Sequence, residues 1–141
     1  MTSSPTSYPG YLKLDTLLDC QFPRSAACGQ PAHDEMLFII VHQVYELWFK
    51  QVLYELDRIE AIFDRDWVED RDVATAANGL ARIVTVLRLG VNQVDLLETM
   101  TPLDFLDFRD FLGSGSGFQS AQFREVEIRL GLRREERLAF D

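Results

Sequence analysis

No run of apolar residues in this chain approaches the ~18 needed to cross a membrane, and the Met1–Gly10 stretch holds neither a basic segment nor an apolar leader core. Cysteine is scarce. Cys20 and Cys28 are separated by seven residues in a loop-like stretch, a spacing that matches no zinc pattern and suits free thiols. Histidine is limited to His33 and His42. Period-two alternation of the kind a half-buried strand requires is missing, and so is any internal repeat. Positive charge is outnumbered, with 14 Lys and Arg against 23 Asp and Glu for a net charge of −9. Such a chain repels phosphate backbones and anionic membrane surfaces, which argues against a nucleic-acid or membrane partner. A soluble, cytoplasmic protein is the expectation.

What is present is a core-forming composition. The 141 residues are 47% hydrophobic and 26% charged, with ten Phe grouped in clusters, enough for one compact domain. Residues 1–11 (MTSSPTSYPGY) form an arm that stays loose or docks elsewhere, and 132–141 form a charged tail. Between them, 12–131 predict an all-α bundle of two long helices and two or three shorter ones. Leu12–Cys20 is a short amphipathic segment, and 21–31 is a loop set by Pro23, Gly29 and Pro31.

A first long helix is predicted over 34–63, with Asp34 as N-cap and a first half so apolar that it should be buried on most sides. A second is predicted over 73–100, its core stripe formed by Leu80, Val84, Leu87, Val91, Val94 and Leu97. Thr101-Pro102-Leu103-Asp104 has the hydroxyl, proline and acid of a helix start, opening a short helix that ends at Gly113. A last helix is expected over 118–130.

Few residues could carry chemistry. His33, ahead of the first long helix, reads as a local hydrogen-bonding group. His42 sits in an almost wholly apolar stretch between Phe38 and the Tyr45-Glu46 pair, and a buried imidazole there needs a partner. Taken alone it suits a satisfied core histidine better than a catalytic one. Phe105 and Arg109 share one face of the short helix; Arg109 is either a surface ion pair with Asp104 or Asp110 or a clamp for a planar anion. Gly113-Ser114-Gly115-Ser116-Gly117 follows no strand and precedes no Lys, so it meets neither nucleotide-binding pattern. Glu46 and Lys50 have i,i+4 spacing for a pair.

Four separated blocks in order carry a family resemblance. Tyr8-Pro9-Gly10-Tyr11-Leu12 opens it, and His33-Asp34-Glu35-Met36-Leu37-Phe38-Ile39-Ile40-Val41-His42-Gln43 with Glu46-Leu47-Trp48-Phe49-Lys50 follows. Next come Leu97-Glu98-Thr99-Met100-Thr101-Pro102-Leu103-Asp104-Phe105 with Phe108-Arg109-Asp110, then Gly117-Phe118-Gln119-Ser120 with Gln122-Phe123-Arg124. Together they resemble the N-terminal half of tryptophan 2,3-dioxygenases.

The resemblance implies an all-α homotetramer that binds haem b and inserts both atoms of O₂ across the C2–C3 bond of L-tryptophan's indole, giving N-formylkynurenine, the first step of the kynurenine pathway. It implies that His42 is the distal histidine meeting the indole N–H, that Phe38 and Phe105 wall the ring, and that Arg109 clamps the carboxylate. Ser116 and Gly117 would line the pocket and approach the haem edge. Tyr8 and Tyr11 would belong to an arm reaching a neighbouring subunit's site. The family's proximal haem histidine and its Gly- and Thr-containing substrate loop have no counterpart among these residues, so no metal ligand is expected from this chain. Two alternatives stay open: a related haem-dependent oxygenase acting on another indole or phenol, and a non-catalytic helical partner.

Overall fold

The computed structural model describes residues 7–137, so the ends of the expected arm and charged tail, 1–6 and 138–141, lie outside the described residues. Among the described residues there is no strand, and the class is all-α, as expected.

Seven α-helices occur in the order α1 (Tyr8–Leu12), α2 (Leu14–Leu17), α3 (Arg24–Ala27), α4 (Glu35–Phe63), α5 (Asp70–Glu98), α6 (Pro102–Arg109) and α7 (Ala121–Arg129). Short 3₁₀ turns cover Asp110–Leu112, Gly117–Gln119 and Arg134–Glu136. The inner end of the expected arm is therefore helical, capped by Ser7, whose hydroxyl accepts from the Gly10 N–H. The loop after Cys20 contains α3, a single turn that the sequence pattern did not show.

α4 and α5 form an antiparallel pair, since the six-residue link leaves no room for any other arrangement. Cross-helix pairings fix the register. Tyr45 Oη donates to the Gly90 carbonyl at 2.7 Å, Arg82 Nη1 meets Glu55 Oε1 at 2.6 Å, and Gly79 faces Ile59. α7 lies along α4 in the parallel sense. Gln122 Nε2 donates to Glu46 Oε2 at 2.7 Å, and Arg129 bonds Asp57 and Glu60 at 2.8 and 2.9 Å. The core lies where the three helices meet, built from Val52, Leu56, Ile59 and Ile62 of α4, Ala76, Ile83 and Val86 of α5, and Val126 of α7. Each of the Val, Leu and Ile side chains among them contributes about 1.5–3 kcal/mol of burial free energy.

Two expectations about faces are corrected. Of the stripe proposed for α5, Leu80, Val84, Val91 and Val94 are exposed, and the helix instead buries Ala76, Gly79, Ile83 and Val86. α5 has apolar residues on more than one side, and the side with Ala and Gly lets the helix axes come closest. The first half of α4 is not buried on most sides either. Met36, Ile40 and Leu47 are exposed, and only Glu35 and Val41 are buried before Val52. A helix apolar all round needs more neighbours than α5, α6 and α7 supply.

α6 begins as expected. The Thr101 hydroxyl accepts from the Asp104 N–H at 3.2 Å, while Asp104 Oδ2 accepts from the Thr101 N–H at 2.9 Å. Asp34 stands at the N-cap of α4 but makes no side-chain cap bond, because its backbone is already helical. α6 packs its Phe108, wholly buried, against the first half of α4. Gly113 then turns the chain with φ 60°, ψ −129°, a conformation only glycine adopts without strain.

Candidate functional site

A cavity of about 450 Å³ opens between the first half of α4, α6 with its 3₁₀ turn, the Gly113–Gly117 loop and the start of α7. α4 contributes Phe38, His42, Tyr45, Glu46 and Phe49, the stripe that 3.6 residues per turn puts on one face. From α6 come Phe105 and Arg109, and from beyond it Leu112, Ser116, Gly117, Phe118 and Phe123.

His42 has a defined hydrogen-bonding state. Its Nδ1 lies 2.7 Å from the Phe38 carbonyl, which can only accept, so Nδ1 carries a proton. In the neutral ring Nε2 is then a bare acceptor, and it faces Gly117, where a Cβ would stand 3.0 Å away. The imidazole packs against Phe38 with ring centroids 4.0 Å apart and planes tilted by 36°. Phe38 in turn meets Phe105 at 5.9 Å and Phe108 at 5.5 Å, a cluster in which tilted and edge-on rings are favoured.

Arg109 makes no ion pair among the described residues. Asp104 is engaged by Thr101, and Arg109 Nη1 donates to the Gly113 carbonyl at 2.9 Å. The guanidinium is thus held at the cavity with most of its donors unspent. Glu46 does not pair with Lys50; it takes both a backbone and a carboxylate bond from Gln122. Tyr45 has its phenol pushed above the ordinary value by burial and remains a donor to Gly90.

The structure therefore brings Phe38, His42, Phe105, Arg109, Ser116 and Gly117 to one cavity. It does not bring Tyr8 and Tyr11, which are 73% and 76% exposed on α1. His33 is exposed ahead of α4 and does not line this cavity.

The sequence profile of the tryptophan 2,3-dioxygenase family matches residues 1–141. The chain belongs to that family. It is 55% identical over 141 residues to the tryptophan 2,3-dioxygenase of Bdellovibrio bacteriovorus, covering 100% of this chain and 39% of that protein. It is 50% identical over 137 residues to the Alteromonas mediterranea enzyme, covering 97% of this chain and 38% of the other. Against the Aedes aegypti enzyme it is 50% identical over 134 residues, covering 95% and 34%. The chain thus spans between a third and two fifths of the length of these tryptophan 2,3-dioxygenases.

Within this cavity, sequence reasoning did not single out Tyr45, Phe49, Leu112, Phe118 or Phe123 as site residues. A signal existed for two of them: Phe38, His42, Tyr45 and Phe49 recur at four-, three- and four-residue steps, the same periodicity used elsewhere to find cores. Leu112, Phe118 and Phe123 reach the cavity only because the glycine loop folds back, which no periodicity encodes. The two cysteines are free and exposed, and no described helix is long and apolar enough to cross a membrane.

Proposed function

We propose that this cavity binds L-tryptophan and that the chain forms the substrate-facing wall of a haem-dependent dioxygenase yielding N-formylkynurenine. One observation carries the proposal: an aromatic-walled cavity presents a bare imidazole acceptor and a guanidinium with no ion pair among the described residues, complementary to an indole N–H and an amino-acid carboxylate. Family membership and the relatives' printed name support the same assignment.

His42 Nε2 accepts the indole N–H, held in that tautomer by its Nδ1–H bond to Phe38. Phe38 and Phe105, in contact with each other, wall one side of the ring and lower the local dielectric, which strengthens both polar contacts. Arg109 takes the carboxylate and orients the zwitterion. A substrate without a carboxylate, such as a simple phenol, would leave that guanidinium unused, which favours an amino acid.

The lining also fits one face of a flat apolar macrocycle. Tyr45, Phe49, Phe118 and Phe123 supply rings, and the loop offers bare backbone at Gly115 and Gly117. Ser116 and Gly117 would hold the haem edge. Among the described residues no group of three or more His, Cys, Asp or Glu could hold a metal ion, and we assign no axial ligand here. Haem bound at this face supplies the O₂ chemistry; the residues supply position and electrostatics. The same proposal includes a homotetramer in which the Tyr8–Tyr11 arm reaches a neighbouring site, and a cytoplasmic setting that keeps both exposed thiols reduced.

The test is calorimetric titration with L-tryptophan and tryptamine, with and without haem. L-Tryptophan should bind better, and Arg109→Ala should weaken it about 10- to 100-fold, equivalent to about 1.5–3 kcal/mol for a charged hydrogen-bonded contact. Equal binding of the two ligands by the unaltered chain would remove the clamp assignment.

A further inference from the structure

One buried carboxylate has no part in the cavity chemistry. Glu35, 1% exposed, opens α4 and shares a face with Phe38 and His42, at steps of three and four residues. Its Oε1 accepts from the Arg24 N–H at 2.8 Å, and its Oε2 accepts from the Ser25 N–H at 2.9 Å and from the Ser25 hydroxyl. The Ser25 side chain, itself wholly buried, accepts from the Ala32 N–H at 3.0 Å. One carboxylate therefore collects three donors from α3, and the serine oxygen fastens the returning loop.

α3 packs against the Asp110–Leu112 turn. Arg109 is the residue leading into that turn, Leu112 lines the cavity, and the carbonyl after the turn, that of Gly113, receives the Arg109 guanidinium. A continuous series of contacts thus runs from Glu35 through Ser25 and α3 to the turn that directly follows Arg109. We propose that Glu35 and Ser25 are positioning residues, which set where the Arg109 guanidinium stands relative to His42 by referring the α6 end of the cavity back to α4. The consequence for substrate rests on the tryptophan reading given above.

The hydrogen bonds are of a kind that specifies position. A carboxylate matches three donors with two acceptor oxygens; an amide in its place offers one, and its NH₂ group would confront an N–H. Burial pushes the Glu35 carboxyl up, but the bonds from Ser25 and Arg24 and the Arg24 charge outweigh it and hold the group below the ordinary carboxylate value, so it stays an acceptor near neutral pH.

The experiment compares Kd for L-tryptophan and tryptamine in the unaltered chain, Glu35→Gln, Ser25→Ala, Arg109→Ala and the Ser25→Ala/Arg109→Ala double variant. The expected result is L-tryptophan binding weaker on the order of tenfold in Glu35→Gln and Ser25→Ala, with tryptamine unchanged. In the Arg109→Ala background, Ser25→Ala should have no further effect, the non-additivity that marks action through one group. Equal losses for both ligands, or a Ser25→Ala loss that persists in full without Arg109, would overturn the proposal. Should Glu35→Gln fail to fold, Ser25→Ala, which removes one hydroxyl, carries the comparison. A readout free of the tryptophan assignment is the Arg109 side-chain N–H resonance, identified by its disappearance in Arg109→Lys. It should shift in Ser25→Ala; an unmoved resonance would overturn the proposal even if the unaltered chain proves not to distinguish the ligands.

Discussion

A methyl group at Gly117 would stand 3.0 Å from His42 Nε2 and 3.2 Å from its Cδ2, so the imidazole must move for Ala to fit. Gly117→Ala is expected to weaken L-tryptophan binding about tenfold, on the scale of a displaced polar contact, while leaving the melting temperature within a few degrees. Titration beside thermal melting checks this, and unchanged affinity would mean that Nε2 is not the indole acceptor. Glu35 makes a second residue-level prediction, through pH. Its carboxyl is held below the ordinary 4.5, so the folded state favours the ionised form. That stability is fully present above about pH 4.5 and is lost as pH falls through the folded-state value. Urea midpoints between pH 7 and 3 should therefore fall more steeply in the unaltered chain than in Glu35→Gln. At this scale the residues read alone made His42 a satisfied core histidine and left Arg109 open between an ion pair and a clamp, and only the family resemblance gave the two of them ligand roles. The sequence showed nothing of Glu35, since a carboxylate at a helix start is ordinarily a solvated dipole partner.

At the scale of elements, the two glycines inside α5 behave oppositely. Either one weakens the isolated helix by about 1 kcal/mol relative to Ala. At Gly79 an added Cβ would lie 3.1 Å from Ile59 Cδ1, in the core against α4, so Gly79→Ala should cost about 1 kcal/mol net once overpacking is set against propensity. At Gly90 the nearest atom is Tyr45 Cε1 at 3.5 Å, an ordinary contact, and the carbonyl that Tyr45 uses is retained. Gly90→Ala should stabilise by roughly 0.5–1 kcal/mol. Chemical denaturation of both variants decides it, and the same sign in both would contradict the closeness assigned to the Gly79 crossing. The positions of the two long helices, α6 and α7 were legible in advance, since capping and periodicity are local properties, whereas the single turns α1 and α3 were not. The burying face of α5 was not, because Leu and Val were weighted above the Ala and Gly that permit close approach.

At the scale of the whole molecule, apolar surface is left uncovered. Leu80, Val84, Val91 and Val94 form an exposed band along α5, with Val91 71% exposed. Beside it the Trp48 Nε1 proton is buried without a partner among the described residues, in a groove lined with Leu87 and Val94. Exposed patches of this kind bind hydrophobic dyes. Native chain should enhance anilinonaphthalene sulfonate fluorescence, and Val84→Glu with Val91→Glu should cut the signal by about half while changing stability by less than about 0.5 kcal/mol. A large fall in stability would mean the band is covered in solution.

The sequence by itself determined the class, the boundaries of the long helices to within a few residues, the Thr101 cap and the family, because each rests on neighbours along the chain or on motifs in order. Only the tertiary structure decided which side of α5 meets α4, that the loop after Gly113 folds Gly117 onto His42, and that α3 ties Glu35 to the turn following Arg109. Those contacts join residues far apart in sequence. Their energies depend on shape and on hydrogen bonds satisfied across elements, and helical periodicity carries no record of which face will find which partner.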